Sequence, residues 1–122
     1  MGFLQGLPEA AVLTDPEDLA PYRRDESHLV GAHPLAVVRP RGPAALRELV
    51  RRAKAEGFGL VPRGAGTGKA GGCVPVERSV VVDFSAWPGG LEVNPAELSL
   101  RAPVSALLRD VKAAAAAQGL FY

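Results

Sequence analysis

Apolar and polar positions along the chain change period several times, and each change marks an element. Leu35-Ala36-Val37-Val38 is a compact apolar run stopped at Arg39-Pro40, and its length and β-branched content predict a buried strand. From Pro43 the period lengthens. Leu46, Leu49, Val50 and Ala53 recur at helical spacing, Arg47, Arg51 and Arg52 fall on the wet side, and Gly57 stands where a left-handed cap would end the helix. Gly59-Leu60-Val61-Pro62 predicts a second short strand. Strand, helix and strand in about thirty residues is the size of a right-handed βαβ unit, so the two strands are expected to form a parallel pair. Val80-Val81-Val82-Asp83-Phe84 predicts a third strand, and after a turn at Trp87-Pro88-Gly89-Gly90 the runs 91–94 and 98–102 suit a hairpin around Asn94-Pro95. A last helix is expected over about 104–118, with Val104, Leu107, Leu108, Val111 and Ala115 on one stripe, Gly119 as its stop and its alanines packed closely on a sheet. Upstream, Asp15 and Pro16 read as N-cap and first position of a short helix.

The expected architecture is α/β (α+β), a small mostly parallel sheet with flanking helices. Residues 1–34 form a lead-in and 35–122 the body. At 122 residues the chain fits one small domain, which buries roughly two thirds of its unfolded surface. Hydrophobic content of 48% with only 6% aromatics puts the apolar weight in Ala, Val and Leu, which suits helices on a sheet. Fourteen Lys and Arg against thirteen Asp and Glu leave no electrostatic case for nucleic acid or an anionic membrane, so any negative ligand must be held locally. The N-terminus has no basic start or apolar run of a signal peptide, and no stretch approaches membrane-span length, so a cytoplasmic protein is expected. A single cysteine, Cys73, excludes an intrachain disulfide, and with only His28 and His33 besides there is no metal-ligand spacing. Redox chemistry here would need an organic cofactor.

The second strand runs directly into Arg63-Gly64-Ala65-Gly66-Thr67-Gly68-Lys69-Ala70-Gly71-Gly72, where five of ten residues are glycine. Glycine permits positive φ and removes the Cβ that would keep a ligand away, so such a loop can turn successive N–H groups into one concavity. A diphosphate suits it. A flexible surface loop is the alternative, but the loop leaves a buried strand and carries Arg63, Thr67 and Lys69 among its glycines. Two familiar phosphate loops fail. The Gly68-Lys69 pair is followed by Ala70, and Arg63 stands five before Gly68, so no Walker A loop exists. Gly66, Gly68 and Gly71 match G-x-G-x-x-G, but Cys73-Val74-Pro75-Val76 cannot readily open the helix that a Rossmann turn requires.

The succession AVVRP, an amphipathic helix, GLVPRGAGTGKAGGCVP, VVVDFS, an LEVNP turn and a helix ending in AAQGLFY resembles the N-terminal part of the FAD-linked oxidases. That superfamily includes vanillyl-alcohol oxidase and p-cresol methylhydroxylase, and the likeness extends to glycolate oxidase FAD subunits and D-lactate dehydrogenases. Tyr22-Arg23-Arg24-Asp25-Glu26-Ser27 is similar to the stretch those enzymes carry before the domain. The resemblance implies the first of two α/β subdomains that clasp FAD, in an oxidoreductase acting on a 2-hydroxy acid such as glycolate or D-lactate. It implies that Gly64, Ala65, Gly66, Thr67 and Gly68 supply N–H groups to the pyrophosphate, with Pro62 and Arg63 entering the loop and Gly71 and Gly72 giving close backbone approach nearer the flavin. Pro40 and Pro62 match positions near the adenine end, although ending a strand accounts for each equally well.

Some members tether FAD through a histidine where this chain has Thr67, so noncovalent FAD is expected. Cys73 is read as a small packed residue, His28 and His33 as ordinary polar residues, and Lys69 as either a phosphate contact or a solvated side chain. The resemblance implies a chain truncated before the family's second subdomain, without its substrate-binding cap. The isolated chain is therefore expected to be inactive, with no catalytic residue of its own, and its candidate partners are FAD and either the missing second subdomain or another subunit of the oxidase. A non-catalytic nucleotide-binding or assembly module that completes a flavin site with another polypeptide is the alternative.

Overall fold

The computed structural model describes residues 2–122. Its centre is β4 (Ser79–Asp83), buried along its whole length, with Val80, Val81 and Val82 contributing to both faces of a four-stranded sheet. Such an unbroken apolar run belongs between two parallel neighbours with both faces covered. β2 (Ala36–Pro40) and β3 (Gly59–Arg63) take those places, in parallel register Val37↔Val81 and Val61↔Val81. β1 (Ala10–Leu13) adds an antiparallel edge to β2, completing the order β1-β2-β4-β3. The expected mostly parallel sheet is present. The strands flanking the long helix run parallel but are not a pair, because β4 occupies the position between them. The lead-in also contributes a strand that its mixed composition did not announce.

Alternate residues serve opposite faces, as strand geometry requires. Ala36, Val38, Val80 and Val82 pack with Leu4, Leu7, Phe58 and the buried stripe of α2 (Pro43–Glu56), while Val37, Val61 and Val81 pack with Leu19 and Tyr22. The α2 stripe is Ala45, Leu49 and Ala53, and Val50 is half exposed, so the inward face is rotated from the expected one. Arg52 is not on the wet side either. Its Nη1 donates to the carbonyls of Phe3 and Gln5 at 3.0 and 2.7 Å, which pins the N-terminal 3-10 turn Gly2–Leu4 against the helix. Gly57 caps α2 with φ of 69°, as the pattern indicated.

On the other face the short helix α1 (Pro16–Leu19) has Asp15 as N-cap, its carboxylate accepting from the Glu17 N–H at 3.0 Å, and Pro16 in its first turn. Past the sheet, β5 (Glu92–Asn94) and β6 (Ser99–Arg101) make the expected hairpin. α3 (Leu108–Ala117) starts four residues later than its pattern suggested. Pro103 to Ala106 forms a turn instead, with the Ala106 N–H donating to the Pro103 carbonyl at 3.0 Å. Val111 and Ala115 are buried, but Ala113, Ala116 and Ala117 are exposed, so the alanine run is not the closely packed face expected of it. No helix among the described residues is long and apolar enough to cross a membrane.

Candidate functional site

Parallel strands present ligands at their carboxyl ends, where following loops leave an open crevice. In this sheet those ends carry Arg39, Arg63 and Asp83. They share a cavity of about 600 Å³ with Leu13, Glu17, Pro21, Tyr22, Gly64 and Ala65. The glycine loop itself lines an adjoining concavity of about 380 Å³, made by Gly64 to Ala70 with Gly72 and Cys73. Gly64 and Ala65 belong to both.

The loop owes its shape to glycine at particular points. Gly66 has φ of 73° and lies so close to the Arg63 guanidinium that a Cβ would collide with it. Gly71 has φ of 76° and lies against Leu29. Neither position suits an L side chain. The N–H groups of Ala65, Gly66, Thr67 and Gly68 find no acceptor within the described residues, while the Gly68 carbonyl accepts from the Glu26 N–H at 3.0 Å. A run of unpartnered N–H groups in a glycine-rich loop that lines a concavity suits the binding of an anion. The residues present therefore fit a diphosphate.

A strap formed by residues 22–31 backs this loop. Arg23 Nε donates to the Gly31 carbonyl at 3.0 Å, and Arg63 Nη1 donates to the Arg24 carbonyl at 2.8 Å. Arg63 also lies over the Tyr22 ring, 5.2 Å from its centroid, and approaches Cys73 Sγ at 3.5 Å. Cys73 is partly buried between Arg63 and Asp25, while His28 and His33 are exposed. Among the described residues no three His, Cys, Asp or Glu side chains gather as a metal site would require. Pro62, Thr67, Lys69 and Gly72 are exposed, and Pro40 is buried at the end of β2.

Tyr22, Arg39 and Asp83 form a network that local sequence did not single out. Asp83 Oδ2 accepts from Tyr22 OH at 2.7 Å and from Arg39 Nε at 2.8 Å, its Oδ1 accepts from the Ser85 N–H at 2.9 Å, and Arg39 Nη2 donates to Tyr22 OH at 2.6 Å. Burial by itself would raise the Asp83 carboxyl, but hydrogen bonds from Tyr22, Ser85 and Arg39 outweigh it and hold the group below its ordinary value. Burial, with the Asp83 carboxylate beside it, pushes the Tyr22 hydroxyl up, so it remains a donor throughout the neutral range. The one available signal was positional: a charged residue lies at or next to the end of each of three strands.

Comparison with known proteins gives the family of this chain. The family described as an FAD binding domain matches residues 34–122. The chain belongs to that FAD-binding family. It is 31% identical to the D-2-hydroxyglutarate dehydrogenase of Xanthomonas citri pv. viticola over 122 residues, covering all of this chain and 26% of that protein. It is 28% identical to the glycolate oxidase subunit GlcD of Escherichia coli over 124 residues, covering 24% of that subunit. Among solved structures, wild-type Physcomitrella patens BBE-like 1 superposes with a TM-score of 0.62 at 24% identity, over 78% of this chain and 21% of the other, which supports the fold. The FAD-binding domain thus spans about a quarter of the length of the curated relatives it matches.

Proposed function

We propose that this FAD-binding domain holds the pyrophosphate of noncovalent FAD on the loop Gly64, Ala65, Gly66, Thr67, Gly68, Gly71 and Gly72, with Pro62 and Arg63 at its entrance, within a flavin-dependent oxidoreductase acting on a 2-hydroxy acid. The observation that carries the reading is the row of unpartnered N–H groups from Ala65 to Gly68 in a loop that follows a parallel strand and lines a concavity. Bound FAD would supply the hydride acceptor, and this chain would hold and orient it. Thr67 supports noncovalent attachment, because the loop contains no histidine to bond the flavin.

The 2-hydroxy-acid assignment rests on the names of the relatives, which are a D-2-hydroxyglutarate dehydrogenase and a glycolate oxidase subunit. Substrate-orienting groups would come from polypeptide outside this chain. Leu98, Val104, Leu108, Phe121 and Tyr122 are all more than half exposed, an amount of apolar surface in the C-terminal third that supports a covering subdomain or subunit. The same surface favours the alternative of an assembly module that completes a flavin site with another chain.

The test is the visible spectrum of the purified chain after incubation with FAD and removal of excess, together with its melting temperature in ADP. Retained flavin bands support a complete cofactor site. A colourless chain stabilised by ADP according to RT ln(1 + [L]/Kd) supports a half-site, and a chain indifferent to both overturns the loop assignment. Turnover of glycolate or D-lactate with an artificial electron acceptor should be absent in the isolated chain.

A further inference from the structure

The nest offers a diphosphate only the partial charges of backbone N–H groups, so a fixed full positive charge beside it would add a stronger, charge-assisted contact. Two guanidinium groups line the neighbouring cavity. That of Arg63 is already engaged, with Nη1 on the Arg24 carbonyl, its face on the Tyr22 ring and its edge beneath Gly66. Arg63 thus supports the loop from behind. Arg39 is differently placed. Its Nε and Nη2 are held by Asp83 and Tyr22, whereas Nη1 has no acceptor among the described residues and the side chain is 37% exposed.

We propose that Arg39 is a ligand-contacting residue whose Nη1 donates to a phosphate oxygen of the dinucleotide beside Gly64 and Ala65, and that Tyr22 and Asp83 are the positioning residues that hold it there. The inference rests on the reading of the loop as a diphosphate cradle. A planar guanidinium can keep one edge on a carboxylate and present the other to a phosphate, which a lysine cannot do. Fixing it beforehand removes the side-chain ordering cost that binding would otherwise incur. The other acids of the cavity do not cancel it: Glu17 and Asp18 are exposed and screened by solvent, and the Asp83 oxygens are occupied by Tyr22, Arg39 and Ser85.

The experiment titrates the whole chain with ADP, following amide chemical shifts, a readout that reaches weak dissociation constants. Arg39→Met should weaken ADP by about tenfold or more, the scale of a lost charged hydrogen bond, and Arg39→Lys by less. Tyr22→Phe keeps the ring and removes the hydroxyl, and should weaken ADP by about threefold. A positioning role requires that Tyr22→Phe cost nothing further once Arg39 is methionine, whereas a merely structural role would add its own loss. Melting temperatures without ligand establish that each variant folds, and if Arg39→Met does not, Arg39→Lys and Tyr22→Phe carry the test. Unchanged ADP affinity in the folded Arg39 variant overturns the assignment while the cradle stands, and additive losses in the double variant overturn the positioning role. A wild-type chain that responds to neither ADP nor FAD overturns the cradle reading and this inference with it.

Discussion

At Asp83 a residue's sequence neighbourhood and its structural role diverge. Read locally it is a polar end to a valine run; in the fold it accepts three hydrogen bonds and is 4% exposed. Its native carboxyl lies below its unfolded value, so the stability it contributes is present above about pH 4 and is lost as pH falls through the depressed native value. Acid titration of the fold should therefore be shallower below pH 4 in Asp83→Asn than in the parent, once the variant's lower starting stability is subtracted; identical slopes would refute the assignment. Partners 61 residues apart, such as Tyr22 and Asp83, leave no spacing to read, which is why this network was hidden while the glycine loop, contiguous in sequence, was not. Within that loop Gly66 can be tested directly. Gly66→Ala puts a Cβ into the Arg63 guanidinium at a left-handed φ, and should cost about 1–2 kcal/mol and weaken ADP binding more than Gly72→Ala, where a Cβ meets open space. Denaturant unfolding and ADP titration of the two variants give the comparison.

Elements were readable where a periodic pattern coincided with a stop signal, as for β2, α2 with Gly57, β3, β4 and the hairpin. Strand order was not, because periodicity describes one element at a time and the intrusion of β4 between β2 and β3 is decided by which strand gains most from burial on both faces. β1 escaped notice because its alanines carry weak strand preference, and its place comes from pairing with β2. Junctions between elements depend on residues with no pattern at all. Arg78, at φ of 54°, turns the chain into β4 and donates from Nε to the Gly57 carbonyl and from Nη2 to the Glu56 carbonyl, both at 2.8 Å, closing the C-terminus of α2. Arg78→Ala keeps the left-handed strain and loses these bonds, at about 1–2 kcal/mol. Arg78→Gly loses the same bonds but relieves about 1 kcal/mol of strain, so it should be the more stable of the two by chemical denaturation. The reverse order would mean that backbone entropy outweighs strain at this junction.

Across the whole molecule burial is distributed unevenly, and that bears on which parts of the domain open first. The central sheet is closed on both faces, with Ala36, Val37, Val38, Val80 and Val81 fully buried. The C-terminal third is anchored far less: α3 buries only Val111 and Ala115 among its residues, and no residue of the β5–β6 hairpin is buried. Opening a region costs what its buried contacts are worth, so this third should open sub-globally well before the sheet unfolds. Native-state amide hydrogen exchange should show β2 and β4 exchanging only through global unfolding, and Val111 to Ala117 exchanging at a lower free energy that falls with denaturant, but less steeply than that of β4. Because the loop from Gly64 to Gly72 is tied to the strap and to β3 and not to α3, ADP should slow exchange in residues 22–31 and 63–73 while leaving α3 nearly as it was. If α3 instead matched β4 in protection, its exposed apolar residues would have to be buried in solution by self-association. Sedimentation equilibrium over a range of concentrations would show that association directly, and would make the apolar C-terminal surface an interface the chain forms with itself.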